Sequence, residues 1–169
     1  SLELYLKFYR DGNRGFQIIN GIKKCYEKLN RFEEMISFFQ ELSSRYPRRI
    51  NYRITLGRAY YLNSQKEEAW KIWQQILDSA PPSGSNYRMV GAALTELNLY
   101  RDAVELYKTA ASKFKNQESL YREIGRLSQG LLEYESAAFY YLKYYKHAAN
   151  QKNYIESRII AMTKDKEAA

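Results

Sequence analysis

The sequence predicts an all-α fold made of repeated pairs of helices. Three kinds of position recur together at one constant spacing: a glycine, an alanine at a fixed distance after it, and a large aromatic residue four residues after the alanine. The recurring residues are Gly57, Gly91, Gly125, Ala69, Ala103, Ala137, Trp73, Tyr107 and Tyr141. Recurrence in register indicates copies of one structural unit of about 34 residues. Helix is favoured throughout, because only three prolines and eight glycines occur in 169 residues.

Residues 50–83 show the pattern of one unit most clearly. A first amphipathic helix is predicted over about 50–63 and a second over about 66–80, with a short turn between them. The second helix begins with Glu67 and Glu68, since acidic residues suit a helix N-terminus. Pro81 and Pro82 then end it, because proline does not continue a helix.

Three further segments follow the same plan, and one of them is degenerate. Residues 84–117 and 118–151 each predict another pair of helices with the glycine, alanine and aromatic residue in place. Residues 16–49 have Lys23 at the glycine position and Met35 at the alanine position. We therefore expect the two helices of this unit to pack less closely.

The two ends of the chain predict partial units. Tyr5 is in register with Phe39, so residues 1–15 are expected to be the second helix and loop of an incomplete leading unit. Residues 152–169 predict a capping helix that covers the last pair, with a tail from Lys164 onward that frays. The total is ten helices, and we expect them to be a section of a longer repeat protein.

The recurring residues predict how the helices pack. Gly57 and Ala69 are expected where paired helices cross, since a larger side chain there would push the helix axes apart. A glycine inside a helix costs about 1 kcal/mol relative to alanine, so its recurrence indicates that close approach offsets this cost. Trp73 and Tyr107 are expected to fill the wedge between one pair and the next.

These residues resemble the tetratricopeptide repeat family. The matching residues in two neighbouring units are Leu56, Gly57, Tyr60, Ala69, Trp73, Pro81, Tyr87, Val90, Gly91, Ala103, Tyr107 and Ala110. The resemblance covers residues 16–151. It implies a right-handed α-α superhelical solenoid whose concave wall, lined by the first helix of each pair, binds peptides of partner proteins without enzymatic activity.

Carried onto this chain, the resemblance implies a basic peptide-binding groove. Its predicted residues are Asn20, Lys24, Asn51, Arg58, Tyr61, Arg88, Arg122 and Arg126. The four arginines are the expected electrostatic anchors, because guanidinium groups bind carboxylates well, and an acidic partner segment follows. The alternative is that these arginines are solvated or paired with Glu96 and Glu123.

Catalysis, cofactor binding and metal binding have no support in the sequence. His147, the one histidine, falls at a predicted helix end, where we expect it to meet terminal carbonyl groups. Cys25 falls in an amphipathic helix away from any histidine, which favours a packing role over a nucleophile. One cysteine allows no internal disulfide and leaves the compartment open, with a slight preference for the cytoplasm. No apolar run is long enough to insert into a membrane.

Two alternative functions remain open. The net charge of +8 and the pI near 9.4 are compatible with RNA contact, but the charge is spread along the chain, so nucleic acid is disfavoured. The second alternative is that the chain is a purely structural section of a larger repeat array. It would then form homo-oligomers through its exposed terminal faces. The tyrosines at 140, 141, 144 and 145 are expected to pack the last pair rather than form a docking patch.

Overall fold

The predicted all-α fold is confirmed. The computed structural model describes residues 1–167, with side chains described up to residue 164. The described residues form ten α-helices and one short 3-10 turn, Ala149–Gln151, and no strands. The helices are α1 Leu2–Arg10, α2 Phe16–Lys28, α3 Phe32–Arg45, α4 Ile50–Leu62, α5 Lys66–Leu77, α6 Gly84–Glu96, α7 Tyr100–Lys113, α8 Ser119–Gly130, α9 Tyr134–Tyr145 and α10 Lys152–Glu167.

The chain divides into two compact units, Ser1–Ile76 and Leu77–Ala169. In the first unit, the core is formed by α1 to α4, and its largest fully buried side chains there are those of Phe39, Ile22, Met35 and Leu42. The helix α2 packs more extensively against α1 than against α3. The pair that has Lys23 at the glycine position is therefore held mainly through the helix that precedes it.

In three helix pairs an aromatic ring packs directly on the backbone of a glycine, a contact called here a glycine seat. A Cβ atom added at Gly57, Gly91 or Gly125 would overlap the ring of Trp73, Tyr107 or Tyr141 respectively, each on the second helix of the same pair. The predicted wedge between pairs was therefore incomplete, because the ring lies on the bare backbone of its own pair. Ala69, Ala103 and Ala137, one helical turn before each ring, are fully buried. The glycine recurs because any side chain at its position would overlap the aromatic ring.

The degenerate unit contains a fourth seat that the sequence reasoning missed. Gly21, two residues before Lys23, receives the ring of Tyr5, which comes from the preceding helix α1. Tyr5 is in register with the other rings, but it uses the glycine of the helix that follows it. This contact explains why α2 turns toward α1.

The burial of Tyr107 also changes the pKa of its hydroxyl group. Burial is the largest effect on the Tyr107 hydroxyl and raises its pKa, while a hydrogen bond with Thr95 and the charge of Arg126 act in the opposite direction. Arg126 and Glu123, which raises this pKa, both lie on α8. Thr95 is on α6, so the hydroxyl end of Tyr107 contacts the first helix of its own pair, and the filling of the space before the next pair stays a prediction.

The turns inside the pairs share one geometry. Asn30, Ser64, Asn98 and Leu132 are equally spaced along the chain, and all have positive φ, between 52° and 63°. In each turn the next backbone N–H donates to a carbonyl five residues earlier, for example Gln65 N to Tyr60 O at 2.9 Å. This is the Schellman ending of an α-helix, which needs one left-handed residue. The repeat is therefore present in the backbone as well as in the packing.

Leu132 is the position where this turn is strained. A left-handed conformation costs a residue with a Cβ roughly 1–2 kcal/mol, and asparagine tolerates it better. Leu132 is 70% exposed, so its side chain contributes little packing. We expect Leu132→Asn to stabilise the protein by about 0.5–1 kcal/mol, measured as a shift in the denaturant midpoint. A lower midpoint would contradict this assignment of strain.

The helix α10 covers the last pair. Ile155 and Met162 of α10 form a small core with Ala137 and Tyr141 of α9. The rings of Tyr141 and Tyr154 meet edge to face, with centroids 6.2 Å apart. The helix continues to Glu167, through the first part of the tail that was expected to fray from Lys164 onward; residues 168 and 169 of that tail lie outside the described residues.

Candidate functional site

All eight predicted groove residues lie on the first helix of a pair. In the first unit, Asn20 and Lys24 are on α2, and Asn51, Arg58 and Tyr61 are on α4. In the second unit, Arg88 is on α6, and Arg122 and Arg126 are on α8.

Arg58 is held in an ion pair inside the first unit. Its Nε donates to Oε1 of Glu27 at 2.7 Å, and the two side chains are only 12% and 21% exposed. Glu27 is on α2, so the pair joins the first helices of two successive hairpins. Removing one partner from such a pair is costly, because the other charge stays shielded from water. Arg58 thus has a structural contact that the sequence analysis did not foresee.

The other predicted residues of the first unit differ in their contacts and in their exposure to solvent. The ring of Tyr61 stacks on Trp73 with centroids 6.2 Å apart, and the ammonium of Lys66 lies 5.6 Å from the Tyr61 ring centroid. Asn51 and Lys24 are exposed, whereas Asn20 is half-buried. Lys24 forms no ion pair with any residue that the structure describes. It is the most accessible cation among the predicted residues of this unit.

Arg122 and Arg126 share one carboxylate in the second unit. Glu123 accepts from Arg122 at 3.3 Å through one oxygen and from Arg126 at 3.1 Å through the other. This is the pairing with Glu123 that was weighed as the alternative. Two guanidinium groups against one carboxylate leave a net positive charge, and both arginine side chains remain 46% exposed. Each guanidinium carries five N–H donors, so donors remain for a further ligand.

Arg88 occupies the position on α6 that corresponds to Arg122 on α8, one repeat later. It is exposed and, within the part of the chain that the structure describes, forms no ion pair. An exposed arginine without a carboxylate partner keeps its full charge toward solvent. Together with the arginine pair on α8, it makes the first helices of the second unit basic.

The residues considered for chemistry have structural surroundings. The His147 ring lies beside the Tyr121 ring, with centroids 6.1 Å apart, and is exposed, rather than capping a helix end as expected. Cys25 is a free, half-buried cysteine packed against the core of the first unit. Among the described residues there is no group of three or more histidines, cysteines or carboxylates that could hold a metal ion. None of the described helices combines the length and apolarity needed to cross a membrane.

Comparison with known proteins finds tetratricopeptide repeats similar to parts of this chain. Residues 24–48 match the family model of the tetratricopeptide repeat. Tetratricopeptide repeat protein 21B of Mus musculus is 32% identical over 110 residues, which is 64% of this chain and 8% of that protein. The chain therefore spans a small part of this relative's length.

Solved structures share the fold at low sequence identity. A thermophilic TPR protein of Thermus thermophilus has a TM-score of 0.58 at 15% identity, covering 96% of this chain and 88% of that one. The MamA protein has a TM-score of 0.55 at 15% identity, with coverage of 89% and 82%. YrrB, described as a TPR protein with an unusual peptide-binding site, has a TM-score of 0.51 at 14% identity, with coverage of 99% and 86%.

The helix pairs, the repeat register and the glycine seats define an all-α helical repeat protein of the solenoid class. The chain resembles the tetratricopeptide repeat family in its fold and in the residues that match the family model. This fold indicates a protein–protein interaction scaffold.

Proposed function

We propose that this chain is a non-enzymatic scaffold and that the first helices of its second unit bind an acidic segment of a partner protein. The arginine face is the name used here for Arg88, Arg122 and Arg126. The observation that carries the proposal is the sharing of Glu123 by two half-exposed arginines. The excess guanidinium charge favours a second carboxylate, supplied by the partner.

The first unit has a smaller part in this proposal. Lys24, Asn51 and Tyr61 offer a cation, an amide and a ring that a partner can reach, while Arg58 serves the ion pair with Glu27. Among the predicted groove residues, the first unit therefore has one accessible cation, Lys24, and the second unit has three. The acidic partner is proposed to depend on that unit most strongly.

The test uses a fluorescent poly-glutamate peptide as the probe, with binding followed by anisotropy. Removing two exposed charge-assisted contacts should weaken binding by about five- to tenfold, so Arg88→Ala combined with Arg122→Ala is the informative variant. The matched control is Arg101→Ala combined with Lys115→Ala, which removes the same charge from exposed positions of the same unit outside its first helices. The control should bind nearly as well as the parent. Equal losses in both variants would show that only net charge matters and would contradict the arginine face.

A further inference from the structure

A cluster of rings around one lysine lies at an edge of the second unit. The edge cluster is the name used here for Tyr121 of α8 and Phe139, Tyr140 and Lys143 of α9. The Lys143 ammonium lies 4.6 Å from the ring centroid of Phe139, 5.5 Å from that of Tyr121 and 5.7 Å from that of Tyr140. Cation–π contacts of this kind fix the ammonium over the ring faces.

The edge cluster is open to solvent and is separate from the core that α9 forms with α10. Phe139 is 53% exposed, and neither it, Tyr121 nor Tyr140 belongs to that core. The rings meet one another at centroid distances of 5.2 and 6.1 Å, so they form a continuous apolar surface. An exposed surface of this kind favours a large apolar side chain from another molecule.

Lys143 has no anionic partner within the described part of the chain. The contrast is Lys108 of α7, which also lies over Tyr140, at 6.0 Å, but is bound to Glu105 at 2.8 Å. The hydrogen bond with Glu105 raises the pKa of Lys108, as expected for a neutralised cation. The edge cluster therefore presents one cation, held among rings, to an incoming negative charge.

A similar combination of aromatic rings and one lysine occurs one repeat earlier. Tyr87 stands one repeat before Tyr121, and the Lys113 ammonium lies 6.0 Å from its ring centroid. Phe114 contacts Tyr87 with centroids 5.4 Å apart. These side chains line a half-open cleft of about 510 Å³ together with Leu77, Asp78 and Pro82. Both sites lie where a first helix begins and a second helix ends, so they share one edge of the second unit.

We propose that this edge binds one extended partner segment in which carboxylate side chains stand next to large apolar ones. Each ring group would take an apolar side chain, and Lys143 and Lys113 would each take a carboxylate. If the two ring groups lie about 10 Å apart, the usual distance between packed helices, they match a segment in polyproline II conformation, which advances about 3.1 Å per residue and repeats its face every third residue. The acidic–apolar pairs should therefore recur about every three residues. This surface is distinct from the arginine face and extends the proposed scaffold function to a second site.

Single-stranded nucleic acid is the competing ligand, since bases also stack on aromatic rings. Its phosphates need a row of uncompensated cations. Here the nearby Lys108 is neutralised by Glu105, so Lys143 is the one cation over the Tyr140 ring without an anionic partner among the described residues. The balance of charge around the rings favours a peptide with spaced carboxylates.

The experiment measures binding of synthetic peptides to the whole chain by anisotropy. The probe carries Asp–Leu pairs every third residue, and two matched peptides replace Asp by Asn or Leu by Ser. Lys143→Met, which keeps the apolar stem, and Phe139→Ser should each weaken probe binding by about fivefold or more. Lys108→Met is the matched control and should change binding less than about twofold, because Lys108 is already paired. Lys143→Arg should retain binding.

The outcomes separate this site from the arginine face. The combined Arg88→Ala and Arg122→Ala variant should keep most of its affinity for the Asp–Leu probe, whatever it does to poly-glutamate binding. The edge site is overturned by equal binding of all three peptides or by probe binding that is insensitive to Lys143→Met. Tighter binding of oligo-uridine than of the probe, lost in Lys143→Met, would likewise overturn it in favour of RNA. Binding by Phe139→Ser is interpreted only if the circular dichroism spectrum of this variant matches that of the parent. If it does not, the binding of Lys143→Met alone tests the site.

Discussion

Gly91→Leu is expected to destabilise the protein by more than about 3 kcal/mol, beyond the usual range for overpacking. The Cβ of a side chain at this position would by itself overlap the Tyr107 ring, which is buried with 6% of its surface exposed. The leucine would therefore separate α6 from α7 or expel the ring. Urea denaturation followed by circular dichroism measures the loss.

Two companion variants show whether the clash causes the loss. Gly130→Ala is the matched control, because Gly130 ends α8 and a Cβ there meets nothing within 4 Å. It should be neutral or stabilise by up to about 1 kcal/mol, the helix preference of alanine over glycine. Gly91→Leu combined with Tyr107→Ala should recover part of the stability. A melting temperature of Gly91→Leu within a degree or so of the parent would contradict the seat.

Trp73→Ala is the second large effect, with an expected loss of about 3–5 kcal/mol. Trp73 is fully buried, and its indole Nε1 donates to the Ile54 carbonyl at 3.3 Å. Removing the side chain leaves a cavity over Gly57 and takes a hydrogen-bond donor from a buried carbonyl. The measurement is the free energy of unfolding in urea.

Trp70 provides a control of the same residue type on the same helix. It is 37% exposed and meets Trp73 edge to face, with centroids 5.4 Å apart. Trp70→Ala should cost only about 1 kcal/mol, the worth of an aromatic pair. If the two tryptophan variants lose similar stability, the central place given to Trp73 is incorrect.

The fold could be predicted from the sequence because the residues that determine it recur at a fixed spacing. Gly57, Gly91 and Gly125 recur with the aromatic residues in register, and the all-α repeat fold follows from that spacing alone. What each glycine contacts did not follow, because the contact depends on the angle at which two helices cross. The seat formed by Gly21 and Tyr5 escaped notice for a related reason, since it lies two residues out of register and uses the preceding helix.

The site could be predicted only as a set of positions on first helices. Which arginine is paired depends on side-chain geometry between helices, as with Arg58 and Glu27, whose separation along the chain does not match the repeat. The edge cluster was not predicted, because Tyr140 was expected to pack the last pair together with Tyr141, Tyr144 and Tyr145. Only Tyr141 of those residues is fully buried, while Tyr140 turns to Lys143. A list of aromatic positions at each helix end would have pointed to it.

The seating of each ring on the glycine of its own helix pair can be measured directly by NMR with isotope-labelled glycine. Of the eight glycines, Gly57, Gly91 and Gly125 should show nuclear Overhauser effects from their α-protons to the rings of Trp73, Tyr107 and Tyr141. Gly130 should show none to an aromatic ring. Spectra in which those three glycines behave like Gly130, or contact rings of a different pair, would contradict this packing and the repeat structure that rests on it.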